Sequence, residues 1–147
     1  MNITYKYRLY PNQGQIEALN QILGLHCELY NSALEERCEA WRRSRVSVSY
    51  YDQSAQLKEI RRIREDIALL NFASCQQTLR RLRKAFDDFF RRAKSRDAPG
   101  YPRFKSRKRF NSISFVFGDG VHCVNERLKL HGVGSVKVKW HRKIPAN

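Results

Sequence analysis

The chain has no apolar run near the ~20 residues that a bilayer-spanning helix needs, and no charged-then-apolar leader pattern opens it. The sequence therefore predicts a protein of the cytoplasm with no membrane partner. Its four cysteines, Cys27, Cys38, Cys75 and Cys123, nowhere reach Cys-x-x-Cys spacing, which argues against a zinc site and leaves reduced thiols. Three of them fall on apolar positions, where a free Cys behaves as a small hydrophobe. None of His26, His122, His131 and His141 pairs with a nucleophile at a recognised spacing, and His26, beside an apolar helical stripe, reads as a packed histidine. Acids are scarce, 14 against 29 Lys and Arg. The adjacent pairs Glu35 and Glu36, Glu65 and Asp66, and Asp87 and Asp88 sit on arginine-rich helices and read as intrahelical ion pairs. Two-metal nucleases draw their carboxylates from separate elements, and nothing marks such a set. The sequence thus predicts no catalytic residue, no metal ligand and no cofactor.

What is present is positive charge. The 147 residues, enough for one compact domain or two small ones, carry a net +15 and a pI near 10.2. Such an excess repels itself in a monomer and is usually offset by a polyanion. The hydrophobic fraction of 41% still allows a core.

Ile3 to Tyr10 alternate at period two, with Ile3, Tyr5, Tyr7 and Leu9 on one face and Thr4, Lys6, Arg8 and Tyr10 on the other. That predicts a half-buried strand with a basic outer side. Pro11 stops it, and Asn12 with Gln15 three residues on is a capping-box pattern for a helix. The stripe Ile16, Leu19, Ile22, Leu23, Tyr30, Ala33, Leu34, Cys38 and Trp41 defines that helix, and Arg42, Arg43 and Arg45 close it. A second helix is expected from near Asp52, with Leu57, Ile60, Ile63 and Ile67 inward. A third is expected from about Asn71 to Arg96, with Phe72, Cys75, Leu79, Leu82, Phe86, Phe89 and Phe90 inward. Asp97 to Pro102 breaks it. Period two then returns in Ser112–Phe117, Val121–Val124, Arg127–Leu130 and Val136–Trp140, with Gly118-Asp119-Gly120 as a turn. A lone amino-terminal strand is rarely stable. The expectation is therefore α+β: a small helical bundle inserted after the first strand of an incomplete antiparallel β-barrel. Its parts are 1–11 as first strand, 12–97 as helical insertion, and 98–147 as basic loop and remaining strands.

The strongest local signal is Arg80 to Arg109, where thirteen Lys and Arg face only Asp87, Asp88 and Asp97. Arg80, Arg83, Lys84, Arg91 and Lys94 lie off the phenylalanine stripe and form a ridge for a phosphate backbone. The following loop interleaves Arg103, Lys105, Arg107, Lys108 and Arg109 with Tyr101, Phe104 and Phe110, cations for phosphates beside rings that can stack on bases. A merely solvated face, its aromatics reaching back to the core, is the plain alternative.

The order of motifs resembles the TnpB (OrfB) family, transposon-encoded proteins once filed as helix-turn-helix transposases. Tyr7-Arg8-Leu9-Tyr10-Pro11-Asn12 and Tyr30-Asn31 carry the resemblance. Gln76-Gln77-Thr78-Leu79-Arg80-Arg81-Leu82, Lys84-Ala85-Phe86 and Phe89-Phe90 continue it. Gly100-Tyr101-Pro102-Arg103-Phe104-Lys105 and Arg127-Leu128-Lys129-Leu130 complete it, nearly the whole chain. The resemblance implies guided DNA cleavage in full-length members, related to compact CRISPR type V effectors. In that plan the strands are a wedge barrel and the helices a recognition lobe, holding guide RNA and double-stranded target DNA. Tyr50, Ser54, Phe72, Gln76, Phe117 and Gly118 match the places that contact a flanking DNA motif. A glutamine at 76 suits this, since it can pair with adenine through two hydrogen bonds. The expected RuvC-like nuclease and Cys-x-x-Cys element are not matched, which implies a shortened member that binds without cutting. A stand-alone helix-turn-helix DNA reader and a basic structural RNA-binding protein remain open.

Overall fold

Asn12 closes one element and starts the next. In the computed structural model, which describes residues 2–96 and 100–142, β1 (Arg8–Tyr10) ends before Pro11 and α1 (Gln13–Ser44) follows. The Asn12 side chain accepts the Gln15 N–H at 2.9 Å, and the Gln15 side chain accepts the Asn12 N–H at 3.0 Å. This is the capping box the sequence predicts. α1 is 32 residues long, about 48 Å at 1.5 Å per residue. It ends at Arg45, a left-handed cap with φ 53°. The stretch from Asp97 to Pro99, where the sequence places a helix break, lies outside the described residues.

α2 (Tyr50–Ile63) starts before the expected Asp52, because Ser49 and Asp52 make a second capping box. The short α3 (Glu65–Ala68), not anticipated, separates it from α4 (Phe72–Lys94). Arg61 holds that corner by donating to the carbonyls of Ile67, Ala68 and Leu70 at 3.2, 3.0 and 2.7 Å. Leu29, Tyr30, Ala33 and Leu34 of α1 pack with Leu57, Ile67 and Leu70, with Cys75, Leu79, Leu82 and Phe86 of α4, and with Phe110 from the loop beyond. The apolar stripes hold in mid-helix and fail toward the ends. Ile16, Trp41, Ile63, Phe72 and Phe90 are exposed, because a stripe that outruns its neighbouring helix has nothing to pack on.

His26 is the packed histidine the sequence predicts. It is fully buried, with Nδ1 2.7 Å from Thr78 Oγ1 and Nε2 3.3 Å from Ser74 Oγ. Burial first, and the nearby Arg81 charge second, push its pKa down to about 4. All four cysteines are free thiols. Burial pushes the Cys75 thiol up to about 11, which keeps it inert.

The strands β2 (Val116–Phe117), β3 (Gly120–Val124), β4 (Arg127–Leu130) and β5 (Gly134–Lys139) join β1 in one sheet, in the order β1-β5-β4-β3-β2. The first strand pairs antiparallel with the last, Leu9 opposite Val138. In chain order all four helices lie between β1 and β2. Two points depart from an antiparallel barrel. β2 pairs with β3 in parallel, and among the described residues β1 and β2 stay at opposite edges, so the sheet is mixed and open. Pairing is also shorter than the alternation implies, three residues in β1 and two in β2. Tyr5, Tyr7 and Leu9 are nonetheless half-buried while Lys6, Arg8 and Tyr10 are exposed. The β3–β4 hairpin turns at Asn125 and Glu126, both at positive φ, the geometry a two-residue hairpin loop demands. Gln15 donates to Ser135 O at 2.7 Å, the His131 ring to Leu69 O at 3.0 Å, and Asn71 to Asp119 at 3.0 Å. These bonds tie the sheet to the helices.

Candidate nucleic-acid interface

The charge-rich helix α4 and the charge-rich loop 100–110 face each other. α4 supplies one wall and the loop 100–110 the other, enclosing an open groove of about 570 Å³. Arg81, Lys84, Arg103, Lys105 and Arg109 line it against a single acid, Asp88, with Tyr30, Ala85 and Phe104 completing the surface. The loop is fixed from below. Asn31 accepts the Lys105 N–H and donates to the Lys105 carbonyl, both at 2.9 Å, while Phe110 is buried 6.0 Å from the Tyr30 ring. Lys105 sits half-buried with its ammonium 5.1 Å from the Tyr30 ring centroid. Burial, then the Arg81 charge, lowers its pKa. An anion in the groove would relieve both costs.

The predicted cations divide into three kinds. Arg103, Lys108 and Arg109 are exposed on the loop, and Arg80 and Lys94 on α4. Lys84 and Arg91 share Asp88 at 3.2 and 3.3 Å, and Arg83 approaches Asp87 at 3.9 Å. These are the intrahelical pairs expected, and exposed pairs of this kind give way readily to a phosphate. Arg107 is engaged internally, donating to Phe110 O at 3.1 Å and to the Asn20 carbonyl and side chain at 3.2 and 3.1 Å. Arg81 also has a structural share that its sequence position does not signal. It donates to Ser112 O at 2.7 Å and stacks 4.5 Å from Phe110. Two acidic pairs differ from the expectation. Glu36 accepts from Gln56 of α2 rather than from an arginine on its own helix, and Asp66 pairs with Arg64 just before α3. Tyr101, one of the loop rings, packs on Phe86 and Phe89 at 5.7 and 5.1 Å and stays 47% exposed.

A second constellation lies where α2 meets α4. Gln76 donates to Ser54 at 3.2 Å. Arg80 and Arg83 stand 5.3 and 5.8 Å from the buried Tyr50 ring, and Arg83 also 5.4 Å from Tyr51. Phe72, exposed at the start of α4, has Arg61 stacked at 5.4 Å. Asn71 holds the β2–β3 turn through Asp119, which brings Phe117 and Gly118 to the same end of α4 as Phe72.

Sequence reasoning missed a third surface. Arg8 lies directly opposite Lys139, and Lys137 opposite Arg127, all exposed on one face with Lys129. Like charges set opposite each other weaken a sheet. At its β1 edge Lys6, Tyr7, Arg8, Lys139 and His141 surround a concavity of about 610 Å³. The signal was the basic outer side of the first strand; register extends it across the sheet. Among the described residues no three His, Cys, Asp or Glu side chains form a group able to hold a metal ion. Among the same described residues no helix is long and apolar enough to cross a membrane.

A family model described as a helix-turn-helix domain, of the OrfB kind, matches residues 1–45. A Streptomyces pristinaespiralis protein provisionally named an RNA-guided DNA endonuclease is 34% identical over 145 residues. The chain belongs to the TnpB (OrfB) family. The alignment takes in 96% of this chain but 35% of that relative, so the chain spans about a third of the length of the curated protein it matches. In this TnpB-family chain the residues of the helix-turn-helix match form β1 and the single unbroken helix α1.

Proposed function

We propose that this chain is the nucleic-acid-holding part of a TnpB-type protein, gripping guide RNA and double-stranded target DNA in the cytoplasm, and that cleavage is supplied by parts outside these residues. The observation that carries this reading is the groove between α4 and the loop, five cations against one acid over a floor that includes Tyr30 and Phe104. Cations along a backbone with rings for bases are what binding without sequence choice requires. In this reading the open sheet is the core of a wedge-like barrel, its cationic face adding phosphate contacts, and the helices between β1 and β2 are the recognition lobe.

Direct readout of a flanking duplex motif falls to the α2–α4 junction. Gln76 faces Ser54 across 3.2 Å, a hydrogen bond it can exchange for an adenine edge. Tyr50 and Phe72 supply rings, and Phe117 with Gly118 border the same end of α4. The name carried by the Streptomyces relative supports guide RNA and target DNA as the partners.

Purification from an expressing cell, followed by extraction, tests the reading. A guide-holding chain retains RNA, and guided cleavage by this chain alone with Mg²⁺ would overturn the binding-only role. A stand-alone duplex reader would prefer one DNA sequence and carry no RNA. The family model's description favours that alternative, but the unbroken α1 gives it no recognition helix within the matched residues.

A further inference from the structure

The loop that walls the basic groove with Arg103, Phe104 and Lys105 turns Tyr101 into a second cavity, of about 340 Å³, made chiefly by Arg37, Trp41, Phe86, Phe89, Phe90 and Tyr101. Its volume lies at the small end of the ligand-pocket range, about 300–1,000 Å³. Tyr101 meets its neighbours edge to face, and the phenylalanines are tilted on one another. Tyr101 stands at 78° to 90° to Phe89 and Phe86, and Phe89 to Phe90 at 59°. Trp41 and Phe90 are 52% and 55% exposed, so each keeps part of its ring open to a visitor.

Apolar walls alone would not identify that visitor. Arg37 does. Its Nε donates to Gln53 at 2.9 Å and its guanidinium lies 5.0 Å from the Phe86 ring. Its Nη2 is buried and has no hydrogen-bond partner among the described residues. A buried donor left unpaired is costly, and more so when charged, so a ligand acceptor that draws the guanidinium toward the cavity it lines would relieve that cost. Burial lowers the Arg37 pKa as well, consistent with a guanidinium short of partners. Around the mouth the ends of α1 and α4 are cationic, with Arg42, Arg43 and Arg45 on one and Arg91, Arg92 and Lys94 on the other. Glu39 engages Arg42 and Arg43, while Arg45 lies over Trp41 at 5.6 Å. A flat aromatic body, an oxygen or ring-nitrogen acceptor and an anionic tether together describe a nucleotide.

We infer that this cavity takes an unstacked nucleobase from a single-stranded segment whose phosphates lie in the neighbouring basic groove, with Trp41 and Phe90 stacking on the base and Arg37 donating to it. The inference rests on the nucleic-acid reading above. The step between the sites is short, because Tyr101 and Arg103 are two residues apart, at most about 7 Å.

The test uses the whole chain freed of nucleic acid, with a short single-stranded oligouridylate and an abasic ribose-phosphate strand of equal length. Trp41→Ala and Phe90→Ala change exposed side chains, so the fold is spared. Each should weaken the base-bearing strand about tenfold and leave the abasic strand unaffected, while Trp41→Phe restores binding. If both alanine variants bind the base-bearing strand as wild type does, and Lys84, Arg103 and Arg109 to Ala abolishes it, the cavity assignment is wrong and the groove stands. If wild type binds neither strand at low salt, the nucleic-acid reading falls and takes the inference with it. Quenching of Trp41 by an apolar peptide but not by the oligouridylate would assign the cavity to a protein and overturn the base.

Discussion

Lowering the pH from 7 to 5 is expected to cost about 2 kcal/mol of folding free energy through His26 alone. In the folded chain burial and the Arg81 charge hold its pKa near 4, whereas in the unfolded chain the imidazole titrates near its ordinary value of about 6.5. The unfolded state therefore takes up the proton first. Stability is full above about pH 6.5 and is lost as the pH falls toward 4, to a limit of about 3 kcal/mol. The hydrogen bonds explain why the folded ring resists. Ser74 Oγ donates to the Asn71 carbonyl at 2.8 Å, so it accepts from Nε2, and the Thr78 hydroxyl donates to Nδ1. A second ring proton would confront that donor. Glu39, Asp52, Asp66 and Asp88 are held below the ordinary carboxylate range, chiefly by hydrogen bonds from Arg42, Ser49, Arg64 and Lys84. They stay charged across this window and lend their stability until the pH drops well below it. Urea titrations of wild type and His26→Gln at both pH values check the size, and thermal melts should show a wild-type Tm loss of roughly 4–8 °C at pH 5. An imidazole NMR titration of His26 centred near 6.5, or an undiminished pH slope in His26→Gln, would refute the reasoning.

Gly120→Ala should destabilise by more than about 1 kcal/mol in a thermal melt, since φ is +96° and the new Cβ would stand 2.7 Å from Asn71 Cγ. Asn31→Ala removes both bonds to Lys105 and should cost about 2 kcal/mol; limited proteolysis should then cut first in the loop 100–110. Phe110→Ala, at a fully buried ring, should cost about 3–5 kcal/mol in urea. Gln76→Ala should relax the preference for adenine in a duplex flanking motif by roughly 1–3 kcal/mol, read by competition between DNA duplexes, with phosphate affinity unchanged.

Local chemistry was legible in the sequence where it acts over a few residues. The Asn12 capping box, the mid-helix core from Tyr30 to Leu34, and the strand Arg127–Leu130 all stand where the pattern puts them. The Ser49 box is written just as plainly, but its partner is Asp52 rather than the Glu or Gln usual at that place, so the pattern puts the start of α2 near Asp52 instead of at Tyr50. α3 could not be read, because four residues carry no periodicity and Arg61 stabilises them from another helix. The groove was visible as a run of charge. Which cations it leaves free was not, since Arg107 is turned inward by Asn20 and Phe110, and Arg81, though it lines the groove, is shared with Ser112, partners 3 to 87 residues away. The basic face of the sheet needed register, and a strand alone has none. The misread Glu36 shows the same limit, its partner lying on the neighbouring helix.

The salt dependence of binding measures the groove most directly. Lys84, Arg103 and Arg109 line it from both walls, and replacing all three by Ala should lower the slope of log K against log salt by about two for a single strand, roughly 0.7 for each phosphate no longer neutralised. Circular dichroism should show the fold intact. A folded triple variant whose slope equals that of wild type would mean that the phosphate backbone lies elsewhere on the molecule.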